Sequence, residues 1–170
     1  MIFASDLGGA IGQNSNPNGL PWKSISADFK NFVKITTACG RVLMGGETWR
    51  TIFKLLGTSL PNRENIVVSR TMTKPPYPGV LLFNSFDAAM EYLQDKDVIC
   101  IGGAQSYKQF IPYATEIFCT KVHALYDSAD CFIDAEIFNG FTEIPSEMTV
   151  LREEGPSQIR VTAHYYKKTA

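Results

Sequence analysis

The feature that most constrains how this chain can fold is the order of its short apolar runs. Segments 2–4, 41–44, 65–69, 80–83 and 98–101 are rich in β-branched and aliphatic residues, which is typical of buried strands. Helical patterns lie among them at 26–38, 47–55, 86–94 and 104–110. This alternation predicts an α/β protein with a mostly parallel sheet and helices packed on its faces.

The pattern changes after Pro112. Segments 116–122, 148–153 and 158–167 are strand-like and have no helix between them, so we expect this part of the chain to add antiparallel edge strands. A chain of 170 residues with no internal repeat and no long linker suits one domain.

Charge and cysteine usage narrow the possible functions. Sixteen basic and 17 acidic residues nearly balance, and no block of like charge occurs, so nucleic acid and membrane surfaces are poor candidates for partners. The cysteines are scattered and lack the close pairs of metal sites and redox motifs. The sequence shows no basic leader and only short apolar runs, so we expect a cytoplasmic protein. From the scattered cysteines we expect reduced thiols and no metal site.

Two glycine pairs follow predicted strands and precede predicted helices. They are Gly45-Gly46 after 41–44 and Gly102-Gly103 after 98–101. Amides at helix N-termini attract anions, and glycine lets a phosphate approach the backbone closely. Two such junctions in one sheet suit a ligand with two phosphates. The alternative is that each pair only makes a tight turn, since neither matches a Walker loop or a dinucleotide fingerprint.

Arg70 bears on which nucleotide such a site would take. It directly follows the predicted strand 65–69 and would project from the carboxyl end of that strand. An acid near the adenosine ribose favours NAD, whereas an arginine there can hold the 2′-phosphate of NADP. The alternative is an ordinary solvated loop cation.

Asp28 lies at the end of an apolar stripe in the first predicted helix, with Phe32 and Ile35 at helical spacing. Lys30 and Lys34 lie on another stripe, so neither neutralises Asp28 within the helix. A buried, unpaired carboxylate is tolerated chiefly where a ligand or a catalytic step uses its charge. Alternatively, Asp28 in the first turn only favours the helix dipole, by roughly 0.3–1 kcal/mol.

Four blocks of sequence together resemble the dihydrofolate reductase family. In chain order they are Ile11-Gly12 with Leu20-Pro21-Trp22, Asp28 and Phe32; Met44-Gly45 with Thr48-Trp49; 60–70; and Ile101-Gly102-Gly103-Ala104 with Tyr107. The resemblance implies one domain over 1–170, with a central, mostly parallel eight-stranded sheet, an antiparallel C-terminal strand and four flanking helices. It also implies an adenosine-binding subdomain at about 41–96, inserted in a loop subdomain.

For the substrate, the resemblance implies that Asp28 hydrogen-bonds the 2-amino group and N3 of a pterin. Thr120 would assist from a neighbouring strand, and Trp22 would hold an ordered water near the substrate; these three residues form the expected catalytic group. Arg63 would pair with the α-carboxylate of the glutamate tail, a bidentate contact that lysine cannot reproduce equally well. The remaining expected substrate contacts are Ile2, Phe32 and Ile101.

For the cofactor, the resemblance implies NADPH. The nicotinamide pocket would be walled by Ala4, Ile11, Leu20, Ile101 and Tyr107. Other expected cofactor contacts are Gly12, Gly45, Gly46, Glu47, Thr48, Ser69, Arg70, Gly102, Gly103, Ala104, Gln105 and Ser106. In this family the Gly102–Gly103 peptide is usually cis.

Two features depart from the family's pattern. Family members usually carry a basic residue directly after Met-Gly, where this chain has Gly46 followed by Glu47, and Gln105 stands where some relatives have arginine. We therefore expect weaker NADPH binding or a partial loss of preference over NADH. Segment 12–19 is slightly longer than in compact bacterial members, and its polar, glycine-containing sequence fits a mobile lid.

The expected reaction delivers hydride from C4 of the nicotinamide to C6 of 7,8-dihydrofolate while N5 gains a proton from water. Asp28 would stabilise the protonated pterin. One alternative is a riboflavin-pathway reductase of the same fold, against which Trp22, Asp28 and Phe32 argue. Another is a non-catalytic nucleotide-binding protein of the same fold. The presence of all four expected polar pocket residues argues against it: Asp28, Trp22, Thr120 and Arg63. We expect a monomer whose partner is the small-molecule substrate.

Overall fold

The computed structural model describes residues 1–156 and 158–170. Its strands are β1 (Ile2–Asp6), β2 (Ala10–Gly12), β3 (Arg41–Gly45), β4 (Glu64–Val68), β5 (Val80–Phe83), β6 (Ile99–Cys100), β7 (Glu116–Val122), β8 (Cys131–Phe132), β9 (Phe141–Glu143), β10 (Thr149–Arg152) and β11 (Val161–Lys168). Its α-helices are α1 (Ser26–Cys39), α2 (Gly46–Leu56), α3 (Phe86–Tyr92) and α4 (Ala104–Phe110). Across the described residues, no helix combines the length and apolarity needed to cross a bilayer.

The expected mixed α/β architecture is confirmed, with each predicted helix present within a few residues of its expected bounds. The strands β2, β8 and β9 were not predicted. Each contains two or three residues, too few for an alternating pattern to be recognised.

The residues form two compact units: the first contains Met1–Phe32 and Phe110–Ala170, and the second contains Val33–Gln109. The helix α1 begins in the first unit and ends in the second. The expected adenosine-binding subdomain, about 41–96, lies within the second unit, and its bounds remain a prediction.

The second unit is built on a parallel sheet with the strand order β5-β4-β3-β6. Consecutive residues of its central strands are fully buried, as expected where both faces of a parallel sheet are covered: Val42, Leu43, Met44, Ile66 and Val67. Because the strands are parallel, their carboxyl ends lie at one edge. This edge carries both glycine pairs and Ser69.

The first unit is built on a sheet with the order β1-β7-β11-β10, in which β9 also pairs with β11. The pairing of β1 with β7 is parallel, and β11 is antiparallel to each neighbour. The expected antiparallel C-terminal strand is confirmed. The expectation that the segments after Pro112 form antiparallel edge strands is wrong for β7, which is interior and parallel to β1, and for β11, which is interior as well. The short strands β10 and β9 pair with opposite ends of β11, so β11 is interior.

Among the described residues, backbone pairing divides the strands into a five-stranded sheet, a four-stranded sheet and the β2–β8 pair. The expected count of eight strands in one sheet is therefore not confirmed. Hydrophobic periodicity identifies a strand but does not specify its hydrogen-bonding neighbours.

Candidate active site

Asp28 lies in the first turn of α1 and is partly buried. Burial raises the pKa of its carboxyl group, while a hydrogen bond with the side chain of Thr120 on β7 acts in the opposite direction. Thr120 itself is buried. The structure therefore brings together two residues of the expected catalytic group. The effect of burial on the pKa of Asp28 is larger than that of the hydrogen bond with Thr120.

Phe32 lies one helical turn after Asp28, and its ring stacks on that of Phe29 with centroids 6.4 Å apart. Phe29 is 52% exposed, so part of this aromatic pair faces solvent. Phe29 lies off the apolar stripe of α1 and was therefore not predicted from the sequence. The i, i+3 spacing of two phenylalanines beside an acid was the available signal.

Trp22 is 3% exposed and packs in a cluster with Ile25, Val122 and Val161. Two expected cofactor residues, Ala4 and Leu20, pack against the same cluster. Within the described residues, the buried Nε1–H of Trp22 has no acceptor in the protein. Buried indole donors are normally paired, so this donor fits a polar ligand or a bridging group.

The remaining expected residues of the first unit lie on short strands. Ile2 is buried on β1, opposite Phe118 of β7. Ile11 and Gly12 lie on β2, and a Cβ at Gly12 would approach the Cβ of Cys131 to 3.0 Å. Glycine is thus required for the close pairing of β2 with β8.

The loop expected to act as a lid contains several internal hydrogen bonds. The backbone N–H of Gln13 donates to the carbonyl of Gly19 at 3.0 Å. Asn16 donates from Nδ2 to the Leu20 carbonyl at 2.6 Å, and Asn18 donates from Nδ2 to the Trp22 carbonyl at 3.0 Å. The loop is therefore tied to the segment that carries Leu20 and Trp22, and its opening remains a prediction.

In the second unit, the two glycine turns are in direct contact. The Gly45 N–H donates to the Gly102 carbonyl at 2.7 Å, which joins the ends of neighbouring strands β3 and β6. A Cβ at Gly45 would lie 3.0 Å from the Oγ of Ser106. The expected cis peptide bond between Gly102 and Gly103 is present.

Tyr107 explains why position 102 accepts only glycine. The φ angle of Gly102 is 116°, which L side chains rarely adopt, and a Cβ there would lie 3.0 Å from the Tyr107 hydroxyl. Tyr107 is buried on α4, and its backbone N–H donates to the Gly103 carbonyl. The other expected residues here differ in exposure: Ile101 and Ser106 are buried, Ala104 is half-buried and Gln105 is exposed.

The turn into α2 contains Gly46 and Glu47 at the place where a basic residue was expected. Gly46 is the first residue of α2, and a Cβ there would lie 3.1 Å from Oγ and 3.3 Å from Cβ of Ser69. Glu47 is exposed and forms an ion pair with Arg50 one turn later. Thr48 lies beside the Gly102-Gly103 turn. Its Oγ1 is 3.5 Å from the position that a Cβ on Gly103 would occupy.

Ser69 shapes the loop that follows β4. Its Oγ accepts the backbone N–H of Met72 at 3.3 Å, and its carbonyl accepts a hydrogen bond from the side chain of Asn84 at 3.0 Å. Arg70 is exposed and makes no ion pair within the described residues. Its guanidinium group is therefore available to an anionic ligand.

Arg63 is held by the loop before β4. Its guanidinium donates to the Thr36 hydroxyl at 2.6 Å and to the Pro61 carbonyl at 2.9 Å, and burial lowers its pKa. The buried side chain of Asn65 donates to the carbonyls of Leu60 and Arg63 and accepts the Leu60 N–H. This role of Asn65 was not predicted from the sequence, although a polar residue in a buried strand was a signal for it.

The expected site residues thus form distinct groups. In the first unit, Asp28 is joined to Thr120, while Ala4 and Leu20 pack around Trp22. In the second unit, the glycine turns meet Thr48, Ser69, Ser106 and Tyr107 at the carboxyl edge of the sheet. Arg63 precedes β4 and therefore lies at the amino edge, away from the glycine turns.

A parallel sheet whose carboxyl edge carries glycine turns defines an α/β protein of the nucleotide-binding class. The sequence profile described as "Dihydrofolate reductase" matches residues 1–168 of this chain. The chain therefore belongs to the dihydrofolate reductase family.

Individual relatives agree with this assignment. A dihydrofolate reductase from Haemophilus influenzae is 33% identical over 133 residues, covering 78% of this chain and 76% of the relative. One from Bacillus subtilis is 31% identical over 157 residues, covering 92% and 87%. The solved dihydrofolate reductase from Enterococcus faecalis, complexed with NADP(H) and RAB-propyl, has the same fold, with a TM-score of 0.82, 22% identity and coverage of 99% and 95%.

Proposed function

We propose that this protein reduces 7,8-dihydrofolate to 5,6,7,8-tetrahydrofolate with NADPH as the reductant. The observation that carries the proposal is the partly buried carboxylate of Asp28, hydrogen-bonded to Thr120, in a chain of the dihydrofolate reductase family. An acid with this surrounding suits a ligand that presents several N–H donors and acquires positive charge.

Asp28 would accept hydrogen bonds from the 2-amino group and N3 of the pterin, using both carboxylate oxygens. Burial strengthens the interaction of Asp28 with a positively charged ring, because the surrounding protein screens charge less than water does. Thr120 would keep the carboxylate oriented. The indole N–H of Trp22 would hold the water from which N5 takes its proton.

The rest of the substrate would be bound mainly by shape and charge. Ile2, Phe32 and Ile101 would contact the rings of the substrate, and the stacked, exposed ring of Phe29 extends the aromatic surface beside Phe32. Arg63 would pair with the α-carboxylate of the glutamate tail. The contacts of Arg63 with Thr36 and Pro61 restrict its guanidinium before substrate arrives, which lowers the entropy lost on binding.

The residues of the second unit fit a phosphate-bearing cofactor, since a Cβ at Gly45 or Gly46 would crowd Ser106 or Ser69. NADPH supplies the hydride when bound. Thr48, Ser69 and Arg70 would contact its phosphates, and Tyr107 would contact the nicotinamide. The other residues that would contact the cofactor are Ala4, Ile11, Gly12, Leu20, Gly45, Gly46, Glu47, Ile101, Gly102, Gly103, Ala104, Gln105 and Ser106.

Preference for NADPH over NADH would be modest. Gly46 has no side chain that could bind the 2′-phosphate, and Glu47 forms an ion pair with Arg50. Arg70 would then be the main cation at this place. The protein would act as a cytoplasmic monomer with neither nucleic acid nor membrane as a partner.

The direct test is to follow NADPH absorbance with the purified protein. Oxidation of NADPH should require dihydrofolate, and NADH should support a slower but measurable reaction. The aminopyrimidine substrate of riboflavin-pathway reductases serves as the control. Oxidation of NADPH with the aminopyrimidine but not with dihydrofolate would overturn the proposal. Oxidation of NADPH without either compound would overturn it as well.

A further inference from the structure

Asp6 is a buried acid with no part in the proposed chemistry. It ends β1 and is 5% exposed. Its Oδ1 accepts the backbone N–H groups of Gly8 and Ala10, each at 2.8 Å, and its Oδ2 accepts the N–H of Tyr126, also at 2.8 Å. These contacts join the turn after β1 to the segment after β7, which are 120 residues apart in the chain.

Both ends of this connection lead to residues of the candidate site. Ala10 begins β2, whose next residues are Ile11 and Gly12. The ring of Tyr126 packs on Trp22, with centroids 5.5 Å apart and planes inclined by 55°. Asp6 therefore determines where the backbone of Tyr126 lies, and Tyr126 forms one wall around the indole.

Only a carboxylate of this length satisfies the donors on both sides. Both carboxylate oxygens accept hydrogen bonds, whereas an asparagine has one acceptor oxygen and one donor NH₂. With asparagine at position 6, the amide oxygen serves either the turn or Tyr126, and the NH₂ then faces a backbone N–H. A buried N–H without an acceptor is destabilising, which favours displacement of one segment.

We infer that Asp6 is a positioning residue for the reduction: it holds Tyr126 against Trp22 and so fixes the direction of the indole N–H. The inference rests on the proposed role of Trp22. Asp6 acts through Tyr126 and touches neither the substrate nor the cofactor.

The test uses Asp6→Asn in a Trp49→Phe background, so that Trp22 is the remaining tryptophan. Trp49 packs on Phe53 and Tyr77 and is not a member of the apolar cluster around Trp22, so its replacement by phenylalanine should leave that cluster unchanged. We expect the Trp22 emission to shift to longer wavelength and its quenching by acrylamide to increase. We also expect kcat to fall about tenfold, with KM for dihydrofolate changed less than about twofold, since misplacement of a catalytic group acts mainly on the transition state.

Matched variants separate positioning from general stability. Asp134→Asn removes a carboxylate that accepts one backbone N–H, from Glu136 at 2.9 Å, and should leave the Trp22 emission and kcat unchanged. Ile66→Val removes one methylene group from the core of the second unit, which should lower stability but leave the Trp22 emission and kcat unchanged. Tyr126→Leu removes the ring and should reproduce both effects of Asp6→Asn, whereas Tyr126→Phe should resemble the parent.

A lower melting temperature for Asp6→Asn with parental Trp22 emission and kcat would overturn the inference and leave Asp6 a purely structural residue. If Asp6→Asn does not fold, Tyr126→Leu tests the contact of Tyr126 with Trp22 through which Asp6 acts, and parental Trp22 emission and kcat in that variant would also overturn the inference. Trp22→Phe is measured in parallel. A parental kcat in Trp22→Phe would refute the proposed role of Trp22, whereas the emission of Asp6→Asn reports independently on whether Asp6 positions the indole.

Discussion

The two units build their candidate sites from different parts of the chain. In the first unit, side chains provide the polar atoms: Asp28, Thr120 and Trp22. In the second, backbone turns dominate, with the N–H of Gly45 bonded to the carbonyl of Gly102 and little room for added atoms. A side-chain site can lose its chemistry while the fold survives, whereas a Cβ added at Gly45, Gly46 or Gly102 crowds a neighbouring side chain.

The most severe test of this difference is Asp28→Asn. The amide keeps the shape of the side chain but removes the charge that would stabilise the pterin, so turnover should fall by about two to three orders of magnitude. NADPH affinity should remain within about twofold. Steady-state rates and a fluorescence titration with NADPH measure the two quantities, and parental rates at neutral pH would remove Asp28 from the mechanism.

Arg63→Lys tests a side-chain contact in the unit otherwise dominated by backbone. Lysine keeps the charge but loses the planar fork, so KM for dihydrofolate should rise about tenfold with little change in kcat. A dihydropterin substrate without the glutamate tail is the control. An equal rise in KM for that substrate would show that Arg63 does not bind the tail.

The difference in stability between Asp28→Asn and the parent should depend on pH. Because burial raises the pKa of Asp28 in the folded protein, the folded chain binds more protons than the unfolded chain between the two pKa values. Stability contributed by this group is complete below the unfolded pKa and declines as pH rises through the folded one.

Asp28→Asn should therefore be more stable than the parent at pH 7, by roughly 1 kcal/mol. This gain should vanish at about pH 3, where the carboxyl group is mostly protonated in both the folded and the unfolded chain. Urea unfolding at both pH values measures it, with Asp134→Asn as the control. A gain of equal size at both pH values would contradict the assignment to ionisation.

Gly46→Ala should have the smallest effect and tests the backbone site. The new methyl group would press on Ser69, so NADPH should bind about threefold more weakly while dihydrofolate affinity stays unchanged. The double variant with Ser69→Gly should recover part of the loss relative to Ser69→Gly alone. Strictly additive effects would mean that contact with Ser69 is not the cause.

The sequence predicted elements better than it predicted their partners. Long periodic segments such as α1 and β11 were identified, because each contains enough residues for a pattern to emerge. The interior position of β11 was missed, since it depends on β9 and β10 pairing with different parts of the same strand. Strand pairing is a long-range property, which local periodicity does not encode.

The same distinction applies to the candidate site. Asp28 was recognisable because a lone acid interrupts an apolar stripe, and the glycine turns because both follow strands. Asn65 and Asp6 were missed as supporting residues. Their roles depend on hydrogen bonds to backbone groups, and the contact of Asp6 with Tyr126 spans 120 residues. Such contacts become visible only in three dimensions.

The proximity of Gly46 and Ser69 also limits how this chain could acquire stricter cofactor selection. Any larger residue at position 46 must begin with a Cβ about 3 Å from the serine side chain, so the serine has to move or shrink. Mutational paths that introduce a basic residue there would therefore favour a change at position 69 first. The order in which the two codons change then decides whether the intermediate protein remains well packed.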